Sequence, residues 1–358
     1  MMSKRIGYID AMRGFTMILV VYSHICHFCL GDSLLGFNAT FFLFRLPCFF
    51  FISGWLFQVS LRGTASGVGS VSDYTGTGHF MTIVKKKFMV QIVPTVIFLL
   101  LLAPPPEFFH QLGTLKGGYW FTFTLFEFFL IYMLSIRCCG RWSWLLALTI
   151  SIASFCFGSY QNHLRLMAPE HRYLSPLLDI AGFLGIRVWQ YYLFFYVGTL
   201  VRCHFDAFIK ITNKTWAFML LIVTFFAIAS TAHPASAFLE YLRFNLGGIS
   251  GMLMVFTAFR FLYSPIIRHP SPLSTVLHQT SSFLKFVGTR TLDIYLLHYF
   301  FLPRFLMAYS PKFHAHNSVI QFLAIMSIAM MVLLLSLLVS YILRLSPFLG
   351  HYLFGAEK

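Results

Sequence analysis

Apolar residues in this 358-residue chain come in long blocks separated by short polar joints. Blocks near residues 7–30, 38–61, 87–103, 119–136, 142–158, 188–202, 215–232, 241–263, 289–308 and 318–344 have the composition of bilayer-crossing helices; such a helix needs about 20 largely apolar residues. The block at 188–202 is the shortest, and part of 173–187 is a candidate extension of it. The longest joint, about 159–187, is too short for a folded domain, and no internal repeat is evident. The pattern predicts an all-α, polytopic transmembrane helical bundle of about ten spans, built as one integral membrane domain over residues 1–358.

Composition agrees with that reading. Hydrophobic residues make up 58% of the chain and charged residues 10%, against roughly a quarter charged in soluble domains. The 44 Phe, 17 Tyr and 6 Trp supply core bulk and interfacial anchors. Lys4 and Arg5 precede the first block, but no small-residue cleavage site follows it, so it reads as a retained helix rather than a signal peptide. A cytoplasmic N-terminus puts Lys4, Arg5, Arg62, Lys85, Lys86, Lys87, Arg137, Arg141, Arg202, Lys210, Lys214, Arg260, Arg268, Lys285, Arg290, Arg344 and Lys358 inside. Only Lys116, Arg165, Arg172, Arg187, Arg304 and Lys312 are left outside. By the positive-inside rule both termini are cytoplasmic. The net charge of +15 is therefore a topology signal with attraction to anionic headgroups; the bases are scattered over short loops, which argues against a nucleic-acid partner. Cys26 and Cys29 have C-x-x-C spacing, but no second pair completes a metal site. Small thiols in helix packing are the simpler reading.

Against this background the ionisable residues inside blocks stand out, because each costs several kcal/mol in lipid and marks function by default. In the first block, eleven steps of about 100° bring His24 to within about 20° of Arg13, with Asp10 about 40° from His24. One face thus carries a carboxylate, a guanidinium and an imidazole. At about 1.5 Å per residue Arg13 lies about 10 Å inside the cytoplasmic face and His24 about 16 Å further out. Arg45, Glu127, His298 and Arg243 fall from the middle of the membrane outward, suggesting a lined cavity. Histidine suits proton transfer near neutral pH, and arginine suits phosphate or a developing oxyanion. That set fits acyl transfer onto a hydroxyl and fits proton-coupled transport equally well. Ser53 lacks a nucleophile-elbow pattern, so Ser53-Gly54 reads as close helix packing. The Gly, Ser and Thr-rich stretch from Arg62 to His79 reads as a cytoplasmic connection without a nucleotide-binding pattern. The outer segment Met167–Arg172 is a candidate cover for the entrance from outside.

Five segments resemble the acyltransferase-3 family of membrane acyltransferases, in order and over nearly the whole chain. Arg13 and His24, separated by ten residues after Tyr8-Ile-Asp-Ala-Met, resemble its opening motif. Phe49-Phe-Phe-Ile-Ser-Gly-Trp55 is similar to its second-helix signature, and Lys85-Lys-Lys-Phe before Pro94 to its basic run into a Pro-containing helix. Gly118-Tyr-Trp-Phe121 resembles its Leu-Trp-Phe-Leu segment, with Tyr119 and Thr122 in place of leucines. Gly288-Thr-Arg-Thr-Leu-Asp-Ile-Tyr-Leu-Leu-His298 is similar to its late motif. The resemblance implies a multi-pass protein of the inner (cytoplasmic) membrane, in the stand-alone form without the family's extracytoplasmic esterase-like domain. It implies an O-acyltransferase that moves an acyl group, acetyl in the expected case, from cytoplasmic acetyl-CoA to a hydroxyl of a cell-envelope or exported glycan or sugar-lipid. His24, Arg13, Glu127 and His298 become catalytic candidates. Arg13, Lys85, Lys86 and Lys87 become candidates for the donor's phosphates, and Arg45, Trp120 and Asp10 candidates for substrate contact. No metal is implied. The alternative is a transporter or exporter of a small anionic or lipid-linked metabolite using the same polar layer. Gly- or Pro-broken helices in two matching halves would favour it, and the sequence has no such symmetry.

Overall fold

The computed structural model describes residues 6–63, 77–103, 107–108, 118–166, 184–232, 236–263 and 272–355. Lys4, Arg5, Lys116, Arg172, Arg268, Lys358, most of the stretch from Arg62 to His79 and the segment Met167–Arg172 lie outside them. The described residues are helical and contain no strand.

In chain order the main helices are α1 Gly7–His24, α2 Asn38–Gly63, α3 Thr77–Lys87, α4 Val93–Leu102, α5 Trp120–Cys139, α6 Ser143–Leu166, α7 Tyr192–Cys203 and α8 Phe205–Thr212. They continue with α9 Thr215–Ala229, α10 Ala237–Leu262, α11 Pro272–Thr289, α12 Thr291–Leu297, α13 Ser310–His314, α14 Ser318–Arg344 and α15 Pro347–Phe354. Among the described residues five stretches are long and apolar enough to cross a membrane, and a sixth results if α8 and α9, bent by 84°, form one broken span. The protein is a multi-pass membrane protein. One of the five stretches, Trp120–Tyr160, is 41 residues long, about twice what a bilayer core needs. Gly140, at φ +50°, turns the chain between α5 and α6. Glu127 on α5 and Ser154 on α6, on either side of that turn, both bond the segment Ile186–Gln190. The stretch is therefore a helical hairpin rather than one rod.

The residues group into two compact units. The first combines Met1–Ile52, His204–Ala232 and Arg243–Leu345; the second combines Ser53–Cys203, His233–Leu242 and Ser346–Lys358.

In the first unit α1 lies against α11 at backbone contact. A Cβ on Gly14 would sit 2.0 Å from the Leu284 carbonyl oxygen, and one on Gly288 only 1.7 Å from that of Asp10. Only glycine fits at either position, as at close membrane helix crossings generally. Edge-on rings join α1 to α10, with Tyr8 against Phe256 at 5.6 Å. Asp293 of α12, almost fully buried, fastens that short helix to the end of α14. Arg344 donates to its two oxygens at 2.7 and 2.8 Å, Ser340 donates at 2.5 Å, and Arg290 stands 3.7 Å away. A forked guanidinium on a carboxylate fixes orientation as well as distance.

The second unit is centred on aromatic packing of Phe57, Phe128, Phe129, Tyr132, Tyr192 and Phe195. Hydrogen bonds cross this packing: Tyr132 donates to Gln58 at 3.0 Å, and Tyr196 and Ser143 share a 2.7 Å bond. A Cβ on Gly54 would meet the Phe195 carbonyl oxygen at 2.0 Å, so the Ser-Gly pair of α2 is a packing device, as its small residues suggest.

Two departures from the sequence pattern bear on the site. The block expected at 289–308 is preceded by α11 and is itself broken: the helix interrupts at Arg290, resumes as α12, and tightens into a 3-10 turn at His298–Phe301. Its α11 part is rich in Ser, Thr, His and Gln over residues 274–282 and so does not form an apolar run. The block expected from 87 begins ten residues earlier, with α3 running through a π turn at Phe88–Ile92 into α4.

Candidate active site

His24 ends the regular part of α1, and the next five residues, Ile25–Cys29, form a π turn. Widened turns of this kind recur at functional sites because they re-aim side chains. In space His24 meets the start of the 3-10 turn that follows α12. Its Nδ1 lies 2.7 Å from Nε2 of His298, which is fully buried. The two rings are inclined by only 14° with centroids 5.0 Å apart. Face-to-face stacking would hold all atoms at van der Waals distance, about 3.5 Å or more. The rings therefore meet edge to edge, in a hydrogen bond. His298 Nδ1 is 3.0 Å from the Ile294 carbonyl oxygen. Tyr299 packs on both rings, at 4.1 Å from His298 and 5.2 Å from His24, and Phe28 closes on His24 at 5.5 Å.

Three turns below, Arg13 makes the second link between the same elements. Its Nη2 donates to Thr291 Oγ1 at 2.7 Å, and Nη1 is 3.9 Å from Asp10. The face that carries Asp10, Arg13 and His24 is thus the face turned to residues 291–298, and the two segments run in the same direction. Thr291 was not evident as a site residue from sequence. Nor was the Asp293–Arg344 clamp behind it, although an aspartate within Thr-Leu-Asp-Ile-Tyr is itself an ionisable residue in an apolar run.

Arg45 of α2 belongs to the same unit. It is buried, donates to Asn38 Oδ1 at 3.0 Å and covers the Phe42 ring at 5.3 Å. It lies within electrostatic reach of His24. Glu127, Trp120 and the three lysines belong to the second unit. Glu127 accepts from the Trp189 indole at 2.8 Å, and Trp120 stacks on Tyr191 at 6.3 Å. Lys85 and Lys86 are exposed on α3. Lys87 differs from both: its ammonium lies over Phe129 at 4.5 Å and Phe57 at 5.5 Å. Among the described residues no cluster of three or more His, Cys, Asp or Glu could hold a metal ion.

A protein-family model described as an acyltransferase domain matches residues 6–345. The chain belongs to the acyltransferase-3 family. Neither the curated proteins nor the solved structures yield a match. As a member of that family the protein is a membrane acyltransferase, and its reaction requires an acyl donor. The matched span contains Arg13, His24, Thr291 and His298, and it runs through both units.

Proposed function

We propose that the protein moves an acyl group, acetyl in the simplest case, from cytoplasmic acyl-CoA to a hydroxyl of a cell-envelope or exported glycan or sugar-lipid. The observation that carries this reading is the juxtaposition of Arg13 with Thr291 and of His24 with His298, within a chain of acyltransferase family. An arginine and an imidazole about 16 Å apart on one helix match the needs of a donor whose phosphates and thioester are separated by an extended pantetheine arm. Arg13, held by Thr291 and Asp10, takes the phosphate end, with Lys85 and Lys86 gathering the polyanion at the inner surface. His24 acts at the thioester. Arg45 serves the oxyanion, and Trp120, Asp10 and Glu127 serve substrate contact. In the reaction the acceptor O–H bond breaks and its proton passes to His24. The oxygen bonds to the thioester carbonyl carbon, the C–S bond breaks, and the departing thiolate receives the proton from His24.

This reading takes the chain as one functional domain of ten crossings in the inner (cytoplasmic) membrane, with both termini cytoplasmic. The hairpin of α5 and α6 supplies two crossings, and α3–α4, α7 and α11–α12 supply crossings that are short, polar or broken. Membranes carrying the intact protein should transfer label from radiolabelled acetyl-CoA into envelope carbohydrate. Membranes with equal amounts of His24→Ala should not; equal labelling by both would remove His24 from the chemistry.

A further inference from the structure

We infer that His298 is a positioning residue that fixes the tautomer of His24, so that Nε2 of His24 is the nitrogen that meets substrate. The inference rests on the reading of His24 as the proton-transfer group and adds a direction to it. A carbonyl oxygen can only accept, so the 3.0 Å contact between His298 Nδ1 and the Ile294 oxygen places the hydrogen of His298 on Nδ1. A neutral imidazole then has its lone pair on Nε2. That nitrogen is the one 2.7 Å from His24 Nδ1, so His24 must donate from Nδ1. The same rule applied to His24 leaves its lone pair on Nε2, which makes no hydrogen bond among the described residues. One backbone carbonyl therefore sets two tautomers in series. The logic is that of an oriented imidazole in a hydrolase triad, with a neutral imidazole instead of a carboxylate behind the base.

Two consequences follow. The proton taken from the acceptor hydroxyl arrives at Nε2, and the resulting cation keeps its Nδ1–H bond to His298. A second proton cannot enter the pair without placing two N–H groups against each other across 2.7 Å, so the pair takes up a single proton. The rings of Tyr299 and Phe28 hold His24 in the plane this bond requires.

The test uses two amides at His298 in the full-length protein in its membrane. His298→Gln places an amide oxygen near the position of Nε2 and preserves an acceptor for His24. His298→Asn reaches only as far as Nδ1 and preserves the Ile294 bond alone. The expected result is turnover within about tenfold of wild type for Gln and a loss of about 10²-fold or more for Asn, with the donor KM unchanged in both. A merely structural histidine would make the two amides fall together, and that outcome overturns the inference, as does full activity in both. Should neither amide accumulate, the wild-type protein decides. The acid limb of log kcat/KM against pH should have unit slope for a pair that takes one proton; a slope of two overturns the shared bond. His24→Ala separates the two levels of argument. Wild-type transfer by His24→Ala defeats the role of His24 itself, whereas an inactive His24→Ala beside a fully active His298→Asn defeats only the positioning role.

Discussion

Gly288→Ala is the smallest change that should disable the protein without touching an ionisable group. The added Cβ would stand 1.7 Å from the Asp10 carbonyl oxygen. Both sides of the contact are backbone, so no side chain can turn away. Ordinary contact begins near 3.4 Å, so α11 and α1 must separate by roughly 1.7 Å at this point. Overpacking of this kind costs about 1–3 kcal/mol where neighbours yield, and a rigid backbone contact belongs at the upper end. The catalytic cost is larger than the stability cost suggests. Gly288 precedes Thr291 by three residues, and the same displacement acts on the 2.7 Å links from Arg13 to Thr291 and from His24 to His298. Misplacement by about 1 Å costs about 10²-fold in rate. Acyl transfer normalised to membrane abundance, with thermal denaturation of the detergent-solubilised protein, reads both effects. Gly158→Ala is the control, since its Cβ would meet only the flexible Arg187 side chain at 3.3 Å. The reasoning fails if Gly288→Ala transfers acyl groups at the wild-type rate with unchanged stability.

Asp293→Ala removes the buried carboxylate that Arg344 and Arg290 share and should destabilise the protein by about 2–4 kcal/mol, because breaking a buried pair is strongly destabilising. The partial exposure of Arg344 keeps the value below the extreme. Asp293→Ala/Arg344→Ala should lose less than the sum of the two single changes in denaturation midpoints. Thr291→Val removes the acceptor of Arg13 and should raise the donor KM several-fold with kcat little changed, read by steady-state acyl transfer. Lys87→Ala should lower stability by about 0.5–2 kcal/mol through loss of its two ring contacts. Lys85→Ala and Lys86→Ala should instead leave stability unchanged and raise the donor KM most at low salt, a contrast visible in thermal melts and salt-dependent kinetics.

Part of this organisation is written in local sequence. The last span is found where expected, at Ser318–Arg344, because a uniform apolar run is bounded by Asn317, whose side chain accepts from Ile320 N–H, and by an arginine. The face of Asp10, Arg13 and His24 follows from helical period alone, and its costly charges mark it as a candidate site. What faces it does not follow. His298 is 274 residues from His24, and tertiary packing, including the close approach at Gly14 and Gly288, brings the two together. The polar segment of α11 conceals a helix whose end packs on α1 at backbone contact, so hydropathy underestimates it. The sharp bend between α8 and α9 and the π turn after His24 depend on backbone hydrogen-bond choices that residue types do not dictate. Lys87 shows the limit of a charge-run argument: three consecutive lysines look equivalent in sequence, yet a helix turns the third onto Phe57 and Phe129.

The central claim is that His24 mediates acyl transfer from a thioester donor. Purified protein reconstituted in lipid vesicles, supplied with radiolabelled acetyl-CoA and envelope carbohydrate, tests it most directly. Wild type should release free coenzyme A thiol in step with labelling of the carbohydrate, and His24→Ala, reconstituted to the same density, should do neither. Thiol release and carbohydrate labelling by His24→Ala at the wild-type rate would contradict the account.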